Sequence, residues 1–399
     1  MLRFTAIRST KPANDYLERV LSDFEAQRGV KVDLQIQSWS TAWSELTQFG
    51  LRGNSPDVSV VGTTWVPSLV AMQSLKPFHQ AEIEQLGSAS AFLSAIWRTG
   101  CIGGRVWAIP WVADTRVIFY WRGALVEAGI DEATAFSTYD QFERTVARLA
   151  ATARPAIVAP TIPDTQHTLQ NLAPWVWSAG GDFRNPPGDR VVFDRSPTLE
   201  AIQRFFRLHR AMAGVVPHVL SEAESDGIFG AGRAALTVSG PWVIDEISSR
   251  QPERLQDLGV ASLPGISYVG GSSIVIWGRS LYPAESLALV RHLTDRAVQE
   301  RMARFSGQLP ARADALDVPL QTGHSHRAAL AQSVRCGRTM PGDPLWGQIE
   351  ARLHQTLGAL WGTILESSVA DGDRLIAEQL ARLASQLNRS LESYTEARR

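Results

Sequence analysis

The residues best suited to chemistry in this chain are its 13 tryptophans. An indole offers a flat apolar face with one N–H on its edge, and a pyranose offers an apolar C–H face with a rim of hydroxyls. Stacking the two removes apolar area from water worth roughly 1–2 kcal/mol per ring. Two or three such rings, with several in-plane hydrogen bonds, suit micromolar affinity, about −8 kcal/mol. Covalent chemistry leaves no comparable signature. The sequence has no zincin helix, nucleophile elbow or phosphate-cradling glycine loop, and Gly103-Gly104 lacks the strand–loop–helix setting of a phosphate site. A glycosidase remains a rival for a Trp-rich cleft, and it requires two carboxylates across the scissile bond.

The elements that must position these rings alternate between β and α periods. Residues 2–7 read as a strand. Residues 14–28 put Leu17, Val20, Leu21 and Phe24 on one helical face, with Gly29 as C-cap. A strand over 30–36, a helix over 43–51 and a buried strand over 58–61 follow. This βαβ pattern predicts an α/β layer structure with parallel strands, whose ligand crevice lies beyond the carboxyl ends of the strands. The loops at 9–11, 39–43 and 62–65 are therefore candidates, and they supply Ser9, Lys11, Trp39, Ser40, Thr64 and Trp65. Residues 110–115 are a candidate crossover carrying Trp111. A helix over 166–179 starts with His167 and Gln170 ahead of Trp175 and Trp177, and a strand over 234–238 ends in Ser239-Gly240-Pro241-Trp242. Gly240 and Gly271 either let backbone amides approach a ligand or serve turns. Trp97, Trp121 and Trp361 are expected in the core. Residues 344–391 read as amphipathic helix, interrupted at 370–373.

Size and charge bound the rest. A chain of 399 residues predicts two compact lobes. A net charge of −1, with Lys only at positions 11, 31 and 76 and the Arg residues scattered among acids, excludes a field able to hold nucleic acid. No run of 18 apolar residues predicts a membrane-spanning helix. The start Met1-Leu2-Arg3-Phe4-Thr5-Ala6-Ile7 lacks the layout of a secretory signal, which leaves a processed form with a new Met or a cytoplasmic protein. Cys101 and Cys336 allow at most one bridge and no zinc site.

Several segments together resemble the family 1 extracellular solute-binding proteins of ABC sugar importers, the maltose-binding type. They are Phe24-Glu25 with Gly29-Val30-Lys31-Val32, Ser55-Pro56-Asp57-Val58, Gly104-Arg105-Val106-Trp107-Ala108-Ile109-Pro110, Tyr120 ahead of Ala128-Gly129-Ile130, Ser178-Ala179-Gly180-Gly181-Asp182-Phe183, Gly232-Arg233-Ala234-Ala235-Leu236 leading to Gly240-Pro241-Trp242, and Leu309-Pro310-Ala311-Arg312. Their order covers about nine-tenths of the chain.

The resemblance implies a two-lobed periplasmic-binding-protein fold. Each lobe would be a mainly parallel sheet flanked by helices, with hinge crossovers near 111–114, 262–265 and 309–313. Lobe 1 would hold 1–111 and 265–310, and lobe 2 would hold 112–264 and 311–399. The resemblance also implies that Trp242 and Trp346 stack on a sugar and that Asp114 accepts bonds from its hydroxyls. Thr63 and Thr64 stand where the maltose-binding type carries an acid, so the ligand need not be maltose. The expected protein is an exported or lipid-anchored monomer, its signal segment trimmed away. It would have no cofactor, metal or catalytic residue, and would deliver sugar to a membrane ABC permease by hinge closure. The rival within the fold is an anionic or polyamine ligand, for which inward-pointing Arg116, Arg312 or Arg338 would matter.

Overall fold

The computed structural model describes residues 1–152, 155–163, 167–212, 219–316, 324–343 and 345–396. The chain divides into two compact units, Met1–Thr115 with Val269–Gln348 and Arg116–Tyr268 with Ile349–Arg399. Its strands, in chain order, are β1 (Leu2–Ile7), β2 (Val32–Gln37), β3 (Val58–Gly62), β4 (Cys101–Ile102), β5 (Arg105–Val106), β6 (Ile109–Thr115), β7 (Val117–Trp121), β8 (Ile157–Val158), β9 (Leu236–Ser239), β10 (Leu258–Ser262), β11 (Val269–Ile276) and β12 (Leu309–Pro310).

The first unit is built on a sheet of order β12-β6-β11-β3-β1-β2. β1 pairs parallel with β2 and β3, as the βαβ reading predicts, whereas β11 runs antiparallel to both β3 and β6, and β12 runs antiparallel to β6. The second unit's sheet, β10-β7-β9-β8, has β7 antiparallel to both neighbours and only β8 and β9 parallel. The sheets are thus mixed rather than mainly parallel. Helical crossovers make parallel pairs, but β6, β7 and β11 arrive by other routes and run against their neighbours.

The division of the chain also differs from the expected one. Residues 311–348 belong to the first unit, because Leu309 and Pro310 pair with Ala113 and Val112 and the helix His324–Arg335 packs on β6. Pro310 is tolerated there because β12 lies at the edge of the sheet. Residues 112–115 stay in the first unit, where Thr115 still pairs with Val269. Residues 265–268 go with the second, where the Ser267 hydroxyl donates to the Arg116 carbonyl (2.7 Å).

Local signals set the helix ends. Lys11–Arg28 begins three residues before the expected start because the Thr10 hydroxyl accepts from the Ala13 N–H (3.2 Å), and it ends at Gly29 with φ +69°. The next helix is Trp39–Arg52, capped by Ser38, so Trp39 and Ser40 lie in a first helical turn and not in a loop. The break in the C-terminal helices falls at Ser367-Ser368, earlier than expected: the Ser368 hydroxyl accepts from the Asp371 N–H (3.1 Å) and donates to its carboxylate (2.7 Å), starting Val369–Glu396. Of the expected helix over 166–179, Gln166 lies outside the described residues, and the element runs His167–Ser178. Cys101 is half-buried, Cys336 is exposed, and the two are not bridged.

Each unit has its own core. In the first, Phe4, Val60, Trp111 and Ile274 are among the buried residues. The Trp277 N–H donates to Ser59 (2.8 Å), whose hydroxyl also meets Thr5 (2.6 Å). In the second, Trp175 packs on Tyr139, Phe142 and Phe205, while Trp361 packs on Phe205, Phe206 and His209. Burial pushes His209 down to about 4, so it is a neutral core residue.

The pairing of β11 with β6 depends on Gly271, which has φ +129°; a Cβ there would lie 2.1 Å from the Val112 carbonyl oxygen. Gly271→Ala is expected to destabilise the first unit by about 2–4 kcal/mol, combining strained backbone with overpacking. Gly29→Ala, where nothing lies within 4 Å of the added Cβ, should cost about 1 kcal/mol. Urea unfolding of both variants checks the contrast, and equal losses would remove the role given to Gly271.

Candidate functional site

In the first unit three indoles meet where β2 and β3 end. Trp39 opens its helix with 46% of its surface exposed and meets the buried Trp65 edge-on, ring centres 5.4 Å apart and planes at 63°. Trp43, one helical turn on, meets the same ring at 5.7 Å. Trp65 in turn rests on bare backbone, since a Cβ on Gly62 would come within 3.1–3.2 Å of its ring. Thr64 is half-buried beside it, and Ser40 is exposed, its hydroxyl 2.9 Å from that of Ser38. The result is an apolar plate edged with hydroxyls.

Other first-unit candidates are occupied elsewhere. The backbone of Ser9 is held by the Asn14 side chain at 3.2 and 3.3 Å. Lys11 is a surface residue paired with Asp15 (2.7 Å). Trp111 is buried on β6, and Trp346, expected to stack on a ligand, has 0% of its surface exposed. Neither offers an open face. Asp114 is half-buried on β6 opposite Gly270. Gly271 serves the strand pairing described above.

The second unit gathers Gln170, Gly240 and Trp242 around a charge. Arg116 is 1% exposed; its guanidinium lies 5.1 Å from the ring centre of Trp242 and 5.5 Å from that of Tyr268, and it donates to the Gln170 carbonyl. Such cation–aromatic contacts are worth about 0.5–2 kcal/mol each. Trp242 is partly exposed and begins the helix Trp242–Arg250. Its ring passes so close to Gly240 that a Cβ there would lie 2.1 Å from it, and this close passage is why the turn carries glycine. Its N–H donates to Asp226 (2.9 Å), which also accepts from the Ser239 hydroxyl (3.1 Å).

Asp226 and Glu222 lie one turn apart on the helix Glu222–Gly230 and titrate in opposite directions. Burial, then the charge of Glu222, pushes Asp226 up to about 8 against the pull of its two hydrogen bonds. Burial acts on Glu222 in the same sense, but the charge and hydrogen bond of His167 and the charge of Arg116 outweigh it and hold the carboxyl below the usual range. His167 is bound to Glu222 at 2.7 Å. His167 therefore joins the cluster through Glu222, whereas Trp175 sits apart in the aromatic core.

Sequence reasoning put Trp43 in a candidate segment without singling it out, missed Glu222, Asp226 and Tyr268, and considered Arg116 only as an anion ligand. Two signals were present: Arg116 is a lone charge ahead of the apolar run 117–121, and Glu222 and Asp226 stand four apart after the capping Ser221. Nothing local marks Tyr268. Of the other arginines considered, Arg312 is paired with Asp314 (2.8 Å) and lies over Phe92.

Among the described residues no helix is long and apolar enough to cross a membrane, and no group of three or more His, Cys, Asp or Glu is placed to hold a metal ion. The chain is 24% identical over 350 residues to the diacetylchitobiose binding protein DasA of Streptomyces coelicolor, covering 84% of this chain and 79% of that protein. It shares its fold with a solute binding protein of Thermotoga lettingae solved with α-D-tagatose (TM-score 0.83, 20% identity, 98% and 99% of the two chains). It also shares it with the sugar-binding protein MalE of Xanthomonas citri (TM-score 0.80, 22% identity, 98% and 99%). The two solved structures share the α/β fold expected from the sequence. Residues 19–329 match the family described as bacterial extracellular solute-binding protein, and the chain belongs to that family.

Proposed function

We propose that this protein binds a neutral saccharide outside the cytoplasm and delivers it to a membrane ABC permease, acting as a monomer, without catalysis. The observation that carries the reading is Trp39, the most exposed tryptophan among the described residues at 46%, braced against Trp65 and flanked by Ser38 and Ser40. Exposing an indole in this way forfeits apolar burial that any core position would provide, and a stacked sugar ring recovers it. Trp242 is the corresponding surface of the second unit. The diacetylchitobiose and tagatose named for the relatives are uncharged sugars, consistent with arginines already engaged: Arg116 faces two rings and the charge of Glu222, and Arg312 faces Asp314. The extracellular family supports export, with or without a lipid anchor.

A second reading, glycoside hydrolysis, draws on the split titration of Glu222 and Asp226, the pattern of a general acid beside an ionised carboxylate. Against it, Asp226 is 3% exposed and its oxygen is taken by Trp242 and Ser239, which leaves little access to a glycosidic bond.

A thermal-shift and calorimetry panel of N,N′-diacetylchitobiose, maltose, D-tagatose and galactobiose, with glucuronate and spermidine as charged controls, decides among these readings. At least one neutral sugar should raise Tm and bind at micromolar Kd, and it should be recovered uncleaved after prolonged incubation. Trp39→Ala and Trp242→Ala should each weaken saccharide binding roughly 10- to 100-fold. Binding of a charged control alone, or recovery of cleaved sugar, would overturn the proposal.

A further inference from the structure

We propose that Asp226 is the positioning residue of the Trp242 indole, fixing the plane of the ring on which, in the reading above, a saccharide stacks. One carboxyl oxygen of Asp226 accepts from both Ser239, the last residue of β9, and the Trp242 N–H three residues later, at 3.1 and 2.9 Å. It thus pins both sides of the turn Ser239-Gly240-Pro241-Trp242. The ring has two further supports: the bare Gly240, where a Cβ would lie 2.1 Å from it, and the Arg116 guanidinium at 5.1 Å. Neither of those contacts specifies which way the indole edge faces, because a flat ring turned end for end still covers a glycine and still meets a cation. The N–H bond does specify it. Turning the ring would leave the N–H without Asp226 and strip a buried carboxyl of one donor, a loss of the kind that costs most in a desolvated site.

The effect on binding is one of preorganisation. A ring that holds its binding orientation only a fraction of the time weakens apparent affinity by that fraction. The charges facing Asp226 are Glu222 on its own helix, with His167 and Arg116 acting on that carboxylate, and Glu246 on the helix that Trp242 begins. Burial and the two glutamates favour the protonated acid, which pushes its titration up to about 8. The proton leaves within an accessible range, so the ring can be observed on both sides of it.

The test uses the full chain with 15N-labelled tryptophan, the Trp242 indole resonance being identified by its loss in Trp242→Phe. In the unsubstituted protein that resonance should be single and should move with a midpoint near pH 8. Asp226→Asn, which keeps a carbonyl acceptor, should hold a single resonance that no longer titrates. Asp226→Leu should shift it by several tenths of a ppm or split it, while circular dichroism reports an intact fold. With N,N′-diacetylchitobiose as the saccharide probe, Leu should weaken binding about tenfold or more and Asn should restore most of the loss. An indole resonance unmoved by both Leu and pH overturns the positioning role even if sugar binds. Failure of every sugar to bind, with the resonance behaving as stated, overturns the saccharide reading and leaves the positioning role standing.

Discussion

An aromatic ring can be kept partly in water and still hold one orientation only if its hidden side is fully supported. The molecule meets that constraint twice with the same device. In each unit a glycine at or just past the end of a strand lets an indole lie on the backbone: Gly62, the last residue of β3, under Trp65 and Gly240, just after β9, under Trp242. What is added differs. Trp65 is buried and passes its support outward to Trp39 through an edge-on contact, so the open ring is held by another ring. Trp242 is itself the open ring and is held by a cation on its surface and a carboxyl at its edge.

That second support brings ionisable groups into a dry place, and the way they are matched shapes the chemistry around them. Arg116 at 1% exposure would be costly if its charge stood alone. Here it meets aromatic faces, the Gln170 carbonyl and the charge of Glu222, and Glu222 is further bound by His167. Burial, and then the negative charge of Glu222 four residues before it, disfavour a second carboxylate, so Asp226 keeps its proton well above the ordinary range. One carboxyl balances the guanidinium and the other serves as a neutral hydrogen-bonding group. A cluster balanced in this way lends no strong field to a charged ligand, in keeping with the nearly neutral chain as a whole.

Much of this was legible in the sequence where the deciding force is local. The helix faces, the cap at Gly29 and the strand-end position of Trp65 and Trp242 follow from spacing and turn chemistry, and the structure has them there, whereas the start capped by Thr10 was missed. What escaped depends on partners distant in the chain. Residues 311–348 were expected in lobe 2 together with the C-terminal helices, but two residues of edge strand on β6 go with their assignment to the first unit. Trp346 looked open because its segment resembles one that carries a stacking aromatic, and no local feature reports its burial. Asp226 is an ordinary acid in an ordinary helix until Ser239 and Trp242 are brought against it.

The order of strands in the first sheet has a consequence for how the chain comes to be folded. β11 lies between β3 and β6, yet it is made more than 150 residues after them. Until it arrives, the three strands at the amino end and the strand at 109–115 have no bridge, and each presents an unsatisfied edge of the kind that invites pairing with other chains. The residues between, by contrast, already include every strand of the second sheet. A nascent molecule can therefore form the second sheet while the first waits for its central piece, a delay that favours slow closure through distant contacts.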